Sequence, residues 1–237
     1  MPRLASTIIP WNALMMDFAA ARRTMVDGQV RTSDVSDLRI IDAMLDVPRE
    51  RFVPVFKAGL AYADFDIPVT ESRPDAPARH LLKPMVLAKL IQAAGIGERD
   101  IVLDVGCASG YSSAVLARLA GSVIALEEDE ELAEVAGANL KALGAGNVTV
   151  AMGPLVAGWP GGAPYDVVLL NGATEITPKA LLQQLKPGGR LLGIFGRSPA
   201  GKAMRYRATG AEVSGRPIFD AAAPLLPGFV APPEFVF

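Results

Sequence analysis

The chain has 237 residues, of which 51% are hydrophobic and 20% are charged, and its net charge at pH 7 is −2. This composition predicts a folded chain with a substantial apolar core and argues against global disorder. The small negative charge offers no general attraction to nucleic acid or to an anionic membrane. One histidine and one cysteine provide too few ligands for a zinc site and disfavour a Ser-His-Asp or Cys-His nucleophile, so we expect no metal.

The same counts bear on the cellular compartment. A single cysteine excludes an internal disulfide framework and fits a reducing environment. No apolar run approaches the ~18 residues that a membrane-spanning helix requires. Pro10, Asn12 and Asp17 interrupt any signal-peptide core near the N-terminus. We therefore expect a cytoplasmic protein without a membrane span.

The first eighty residues predict helices followed by an irregular loop. Residues Thr32–Asp34 offer capping side chains to a helix whose apolar positions include Leu38 and Ile41. Pro48 ends that helix and begins a short second one. Residues 59–79 show no sustained period, which is typical of a surface loop that covers a cleft. His80 then opens the entry into the next helix.

Helices and strands alternate through the rest of the chain. The predicted strands begin at residues 101, 122, 147, 165 and 190, and the last intervening helix covers residues 177–185. This alternation predicts an α/β fold with a doubly wound, mostly parallel sheet. Only six residues separate the fifth strand from residues 203–208, so we expect an antiparallel C-terminal hairpin with residues 212–219. The tail 224–237 is expected to pack on the body as extended chain.

The most informative stretch, Ile101–Ala117, predicts a strand, a glycine turn and a helix. Its pattern Asp104-x-Gly106-x-x-x-Gly110 fits neither a dinucleotide fingerprint nor a phosphate-binding Walker loop. Glu127 ends the next apolar run, where a carboxylate can accept hydrogen bonds from ribose hydroxyls. The stretch therefore predicts a nucleoside ligand without a pyrophosphate, although an ordinary strand-to-helix turn remains the alternative.

This spacing resembles motif I and the acidic strand end of Rossmann-like methyltransferases that depend on S-adenosyl-L-methionine (SAM) and release S-adenosyl-L-homocysteine (SAH). The resemblance implies that Gly106 and Gly110 flank the methionine part, that Asp104 orients its ammonium group and that Glu127 holds the ribose. Further cofactor contacts are expected at Cys107, Ala108, Tyr111, Glu128, Gly153, Pro154, Leu155 and Asn171. Residues 1–80 would form an N-terminal helical segment and loop covering the cleft, and residues 81–237 the SAM-binding methyltransferase domain, as one structural unit.

Other segments narrow the resemblance. They are Asp42–Pro54, Ala61–Asp64, Gly158–Pro160, Ala163–Asp166 and Gln184–Leu191. Together with the turn, they resemble the protein-L-isoaspartate O-methyltransferases over roughly residues 34–196, and residues 25–31 resemble a bacterial branch. Such enzymes esterify isoaspartyl carboxylates of aged proteins, which starts repair. A protein or peptide carboxylate is therefore the expected partner, and nucleic acid is not.

Two departures from the family pattern concern polar groups. Leu82 stands where the family has a serine that touches the substrate, and Gly153–Leu155 replaces a Gly-Asp-Gly whose aspartate would reach the adenine. Arg79 is a candidate carboxylate clamp, because guanidinium binds carboxylate bidentately, or else an exposed loop charge. His80 is the other catalytic candidate, although a packed helix-entry residue is the simpler interpretation. The catalytic residue itself stays unassigned.

Three functional hypotheses follow from these residues. The first is a SAM-dependent carboxylate methyltransferase of the isoaspartyl type, and a carboxylate acceptor would need no base because it is already anionic at pH 7. The second is a methyltransferase on the same scaffold with a different acceptor, such as an unidentified small molecule. The third is a SAM-binding protein without turnover.

Overall fold

A seven-stranded sheet forms the centre of the molecule, and the computed structural model describes residues 16–73, 77–210 and 212–232. Its strands are β3 (Ile101–Val105), β4 (Ser122–Glu127), β5 (Val148–Met152), β6 (Tyr165–Thr174), β7 (Leu185–Phe195), β8 (Lys202–Thr209) and β9 (Glu212–Asp220). Their order is β5-β4-β3-β6-β7-β8-β9. Strands β3 to β7 pair in parallel, and β8 and β9 pair antiparallel. The predicted sheet and its C-terminal hairpin are confirmed.

Helices and a small two-stranded ladder surround this sheet. The helices are α1 (Phe18–Met25), α2 (Leu38–Asp46), α3 (Pro84–Ala94), α4 (Tyr111–Leu116), α5 (Glu130–Ala142) and α6 (Lys179–Leu182). The ladder pairs β1 (Ile67–Pro68) with β2 (His80–Leu81) in antiparallel register. It lies inside the segment that was expected to be an irregular loop. None of the helices in the described ranges is both long and apolar enough to span a membrane.

Helix α3 shows how local chemistry positions an element against the sheet. Pro84 occupies its first turn, and Gly95 ends it in the left-handed region with φ of +60°. The terminal carbonyls of Ala94 and Gly95 accept hydrogen bonds from the Arg190 guanidinium, at 2.6 and 2.7 Å. Arg190 also pairs with Asp100 at 2.7 Å. One arginine of β7 therefore satisfies the carbonyls that the helix end leaves open.

The two faces of the sheet carry separate apolar clusters. Along β3, Val102 belongs to the cluster under α2 to α5, whereas Leu103 and Val105 belong to the cluster on the opposite face. This division follows from the alternation of side chains along a strand. Both faces of the central strands are buried, as expected for a parallel sheet.

The extended tail completes the second cluster. Leu226 donates its backbone N–H to the carbonyl of Ala173 at 2.9 Å, and Leu226 and Phe229 are buried. The tail therefore packs on the body through Phe229, as predicted, but a turn at residues 227–228 interrupts the extended chain and Val230 is exposed. Residues 233–237 lie outside the described residues, as do Pro10 and Asn12, two of the positions that bear on a signal peptide.

Two predicted features near α2 were wrong. Its N-cap is Asp37, whose carboxylate accepts from the Arg39 backbone N–H at 3.0 Å, not a residue of Thr32–Asp34. The hydroxyls of Thr32 and Ser33 instead bond to carbonyls one turn earlier, in the preceding helical segment. Leu38 is the first residue of the helix and is 64% exposed, because the face that packs on the core is formed by Ile40, Ile41 and Met44.

Two further boundaries differ from prediction. Helix α6 ends at Leu182, because the carbonyl of Gln184 already accepts from the Tyr165 N–H at 2.8 Å and draws the chain into β7. His80 does not enter α3 directly. It pairs with Pro68 in the β1–β2 ladder, and the helix begins four residues later.

Glycine at position 193 is required by packing between β6 and β7. An added Cβ there would lie 2.8 Å from Cδ1 of Leu170. We predict that Gly193→Ala destabilises the fold by about 1–3 kcal/mol through overpacking. The matched control is Gly137→Ala in α5, where nothing lies within 4 Å, and this change should stabilise by about 0.5–1 kcal/mol. Urea unfolding would contradict the packing argument if the two variants gave equal stabilities.

Candidate active site

The glycine turn follows β3 at the carboxyl edge of the sheet. Gly106, Ala108 and Gly110 all have positive φ, at +75°, +51° and +96°. An added Cβ at Gly110 would lie 3.2 Å from the Cβ of Ala136, so this glycine lets α5 approach the turn. After the turn, the chain continues to β4 on one side of β3, whereas β6 pairs with β3 on the other side. The strand order therefore reverses at β3, and such a point is the usual ligand site of open α/β sheets.

Asp104 ties this turn to both neighbouring elements. Its carboxylate accepts hydrogen bonds from the hydroxyls of Ser112 and Ser113, at 2.7 and 2.5 Å, and from the side-chain amide of Asn171. The residue is fully buried. Burial raises the pKa of the carboxyl to about 6, against the lowering effect of these three hydrogen bonds. The structure thus gives Asp104 a role in joining β3, α4 and β6, and its contact with a cofactor ammonium group stays a prediction.

Glu127 is the second buried carboxylate of the site and ends β4. It accepts hydrogen bonds from the backbone N–H groups of Ala108 at 2.8 Å, Glu128 at 3.0 Å and Asp129 at 3.2 Å. Arg79 supplies a fourth donor, with Nη1 2.5 Å from Oε1. The predicted ribose carboxylate is therefore present at the predicted strand end, but its oxygens are occupied by this chain's own donors.

The space bordered by Gly106, Glu127 and Gly172 lies beside the turn, and we call this space the cradle. Two side chains fill it. An added Cβ at Gly106 would lie 2.8 Å from Nη2 of Arg79 and 2.9 Å from Cδ2 of Leu226. An added Cβ at Gly172 would lie 2.7 Å from Cγ of Leu226. The carboxylate of Glu127 is an acceptor that suits the hydroxyls of a nucleoside, but in this conformation the space is occupied by the guanidinium of Arg79 and the side chain of Leu226.

Arg79 is only 5% exposed. The interpretation of Arg79 as an exposed loop charge was therefore wrong. Its guanidinium binds the internal carboxylate of Glu127 through Nη1, and its role as a clamp for a substrate carboxylate stays a prediction. Both residues were candidates in the sequence, but their pairing was not predicted.

The predicted adenine side of the site lies at the end of β5. Gly153 donates its N–H to the carbonyl of Glu127 at 3.0 Å, and the N–H of Leu155 lies 3.3 Å from a carboxylate oxygen of Glu128. Pro154 between them is exposed, whereas the Leu155 side chain is buried in the core. Trp159 packs against Gly153. A cavity of about 80 Å³ lies beside Glu128 and is also lined by Thr70, Pro77, Arg79 and Pro227.

His80 and Tyr111 border a small cavity on the other side of Gly106. Its volume is about 10 Å³, room for one water molecule, and its lining also includes Leu82, Cys107 and Asn171. His80 Nδ1 and the Tyr111 hydroxyl have no hydrogen-bond partner among the described residues. Burial lowers the pKa of the His80 imidazole, which is therefore neutral at pH 7. Burial also raises the pKa of the Cys107 thiol well above its ordinary value, so the thiol is unreactive.

Leu226, Ser113 and Arg49 are among the supporting residues that were not predicted from the sequence. Leu226 enters the cradle from the tail, and Ser113 holds Asp104 from one turn into α4. The buried guanidinium of Arg49 lies 4.5 Å from the Tyr111 ring centroid and donates to the carbonyl of Leu82 at 2.8 Å. Arg49 lay within a segment that carried the family resemblance, but nothing in that segment indicated its partners. Within the described ranges, no group of three or more His, Cys, Asp or Glu side chains could hold a metal ion.

Comparison with known proteins gives the class and then the family. The sheet with its glycine turn and acidic strand end is that of the Rossmann-like methyltransferases. The model of the protein-L-isoaspartate(D-aspartate) O-methyltransferase (PCMT) family matches residues 21–216. The chain belongs to this family.

Named relatives agree with this assignment. A protein-L-isoaspartate O-methyltransferase of Methylorubrum extorquens (strain PA1) is 40% identical over 188 residues, which are 79% of this chain and 79% of the relative. One of Roseiflexus castenholzii (strain DSM 13941 / HLO8) is 38% identical over 195 residues, 82% of this chain and 86% of the relative.

Solved structures support the fold. A protein-L-isoaspartate O-methyltransferase structure superimposes with a TM-score of 0.76 at 24% identity, over 87% of this chain and 66% of its own. A structure from Plasmodium falciparum, described as a PCMT in complex with SAH, gives a TM-score of 0.71 at 15% identity, over 86% of this chain and 96% of its own.

The raised pKa of Asp104 predicts a specific pH dependence of stability. Because its folded-state pKa of about 6 exceeds the ordinary value of 3.8, the folded state binds the proton more tightly than the unfolded chain does. The contribution of Asp104 to the free energy of unfolding therefore falls as pH rises through that window. Relative to Asp104→Asn, the wild type should be about 1.4 kcal/mol more stable at pH 5 than at pH 7.5.

Urea unfolding of both proteins at the two pH values measures this difference. Asp220→Asn, on the exposed strand β9, controls for the loss of a surface carboxylate. A stability difference between wild type and Asp104→Asn that does not change with pH would show that Asp104 is not held in this state.

Proposed function

We propose that this chain transfers a methyl group from SAM to a carboxylate of a protein or peptide, as the isoaspartyl methyltransferases of its family do. The observation that carries the proposal is the buried carboxylate of Glu127 at the end of β4, next to the glycine turn. In nucleoside sites of this topology, such a carboxylate accepts hydrogen bonds from the ribose hydroxyls. Family membership supports the methyltransferase reaction itself.

Different residues at the cradle would contact different parts of SAM. Glu127 would accept from the ribose hydroxyls, and Gly106 would let the methionine part approach the backbone. Asp104 accepts hydrogen bonds from Ser112, Ser113 and Asn171 and thereby fixes the turn to α4 and β6. When bound, SAM supplies a methyl group on a positively charged sulfur. The protein contributes mainly proximity and orientation to such a displacement.

A carboxylate acceptor makes a general base unnecessary. Its pKa near 4 leaves it anionic at pH 7, so no side chain has to remove a proton. This agrees with a site in which His80 is half-buried and the Cys107 thiol is unreactive. We propose no catalytic role for His80, and we propose a protein or peptide acceptor rather than nucleic acid.

The alternative acceptor hypothesis rests on one observation. Leu82, where the family has a substrate-touching serine, is buried and its carbonyl is bound by Arg49. Because a leucine side chain cannot donate a hydrogen bond, the side chain at this position offers a carboxylate only apolar contact. A different acceptor, or SAM binding without turnover, therefore remains the second candidate. The single cysteine supports a reducing, cytoplasmic location for either activity.

We predict that the wild-type protein transfers tritiated methyl from SAM to an isoaspartyl peptide and not to the same peptide with ordinary aspartate. Gly106→Arg should abolish SAM binding by filling the turn. Gly137→Arg, on α5 with nothing within 4 Å, is the matched control and should bind as the wild type does.

Calorimetry followed by the transfer assay separates the hypotheses. SAM binding without transfer to the isoaspartyl peptide would remove that acceptor and favour the second candidate. If neither the wild type nor variants that open the cradle bind SAM, then SAM is not the cofactor of this site.

A further inference from the structure

The position that SAM would take is filled by an ion pair that this chain makes with itself. Arg79 Nη1 lies 2.5 Å from Glu127 Oε1, and Nη2 lies within van der Waals reach of Gly106. Both side chains are shielded from solvent, at 6% and 0% exposure. The carboxylate predicted to hold the ribose and the glycine predicted to face the methionine part are thus covered by a single side chain.

A buried pair of this kind is costly to separate. Removing one partner from a buried carboxylate leaves an uncompensated charge, which strongly disfavours the resulting state. Glu127 can release Arg79 only if other donors replace the guanidinium. Ribose hydroxyls are such donors, so SAM and Arg79 compete for the same carboxylate oxygens of Glu127.

We infer that Arg79 is an internal ligand of Glu127 that competes with SAM for the cradle. The cofactor binds only when the Arg79 side chain leaves Glu127, and this residue thereby sets the affinity of the site. This inference rests on the proposed function, because it takes SAM to be the ligand of the cradle. Leu226 limits the same space from the tail side, since it packs against both Gly106 and Gly172.

The surroundings of Arg79 allow the side chain to move while its backbone stays in place. Its N–H donates to the Thr70 hydroxyl at 2.9 Å, and its carbonyl accepts from the Val69 N–H at 2.8 Å. These two bonds anchor the main chain next to the β1–β2 ladder. The cavity of about 80 Å³ beside Glu128 adjoins the Arg79 side chain. A rotated guanidinium would enter that cavity and meet the carboxylate of Glu128.

The same surroundings account for the residue type. Lysine would also neutralise Glu127, but arginine carries a planar fork that bonds Glu127 while covering Gly106. A neutral residue at position 79 would leave the Glu127 carboxylate without its charged partner and the cradle open. Arginine thus stabilises the ligand-free state at the expense of cofactor affinity.

Calorimetric titration with SAM tests this competition. We predict that Arg79→Ala binds SAM at least tenfold more tightly than the wild type, and that Leu226→Ala, which opens the cradle without touching the ion pair, gives a smaller gain. In the Arg79→Ala background, adding Glu127→Ala should reverse the gain, because the ribose then loses its acceptor. Arg118→Ala, which removes an arginine paired with Asp46 on the surface, should bind as the wild type does.

Thermal melting provides a second readout that does not depend on activity. Without ligand, Arg79→Ala should melt below the wild type, because the buried Glu127 carboxylate then keeps its backbone N–H donors but lacks a cationic partner. SAH should raise the melting temperature of this variant by more than it raises that of the wild type. If the wild type binds SAM and Arg79→Ala binds it no more tightly, the competition is overturned and the proposed function is left standing. If neither the wild type nor any folded variant bound SAM, the proposed function would fail and this inference with it.

Discussion

The buried carboxylate of Glu127 is the constraint on which the site depends. A carboxylate removed from water needs donors for its oxygens, since an unpaired buried charge costs several kcal/mol. Here the donors come from the glycine turn, from the start of the chain segment leading to α5 and from Arg79 beside β2. Three separate parts of the chain therefore converge on one side chain. The left-handed conformation of Ala108 is part of this arrangement, because it accompanies the turn that aims the Ala108 N–H at Glu127.

Asp104 has a different role, although it lies one strand away at the same edge of the sheet. Its oxygens accept hydrogen bonds from side chains of α4 and β6. These two elements lie on either side of the point at which the strand order reverses. Asp104 thus joins elements of the scaffold, whereas Glu127 binds Arg79 at the position proposed for the ribose. This division explains why a site with a single histidine can still be organised for methyl transfer, in which orientation matters more than proton removal.

Much of this architecture could be predicted from the sequence, because the relevant signals are local. Alternating apolar runs indicated the parallel strands, the short gap before Ala203 indicated the hairpin, and the spacing of Asp104, Gly106 and Glu127 indicated the ligand edge. One error, at the start of α2, arose where two local signals competed. Thr32–Asp34 and Asp37 both offer capping side chains, and only the packing of Ile40, Ile41 and Met44 selects the second.

The contents of the cradle could not be predicted in the same way. Arg79 and Glu127 are 48 residues apart, and Leu226 reaches the turn from the tail. No periodicity or motif encodes such contacts, which depend on how the β1–β2 ladder and the tail pack over the sheet. The lack of the family's hydroxyl at Leu82 was visible in the sequence, but its consequence, a buried apolar wall beside His80, required the structure.

A crystal structure of the wild-type protein with SAH would test the central claim most directly. The account predicts that the ribose hydroxyls bond to Glu127 and that the Arg79 guanidinium has moved away from that carboxylate. A complex in which SAH lies in the cradle while Arg79 still holds Glu127, or in which SAH binds elsewhere, would contradict it.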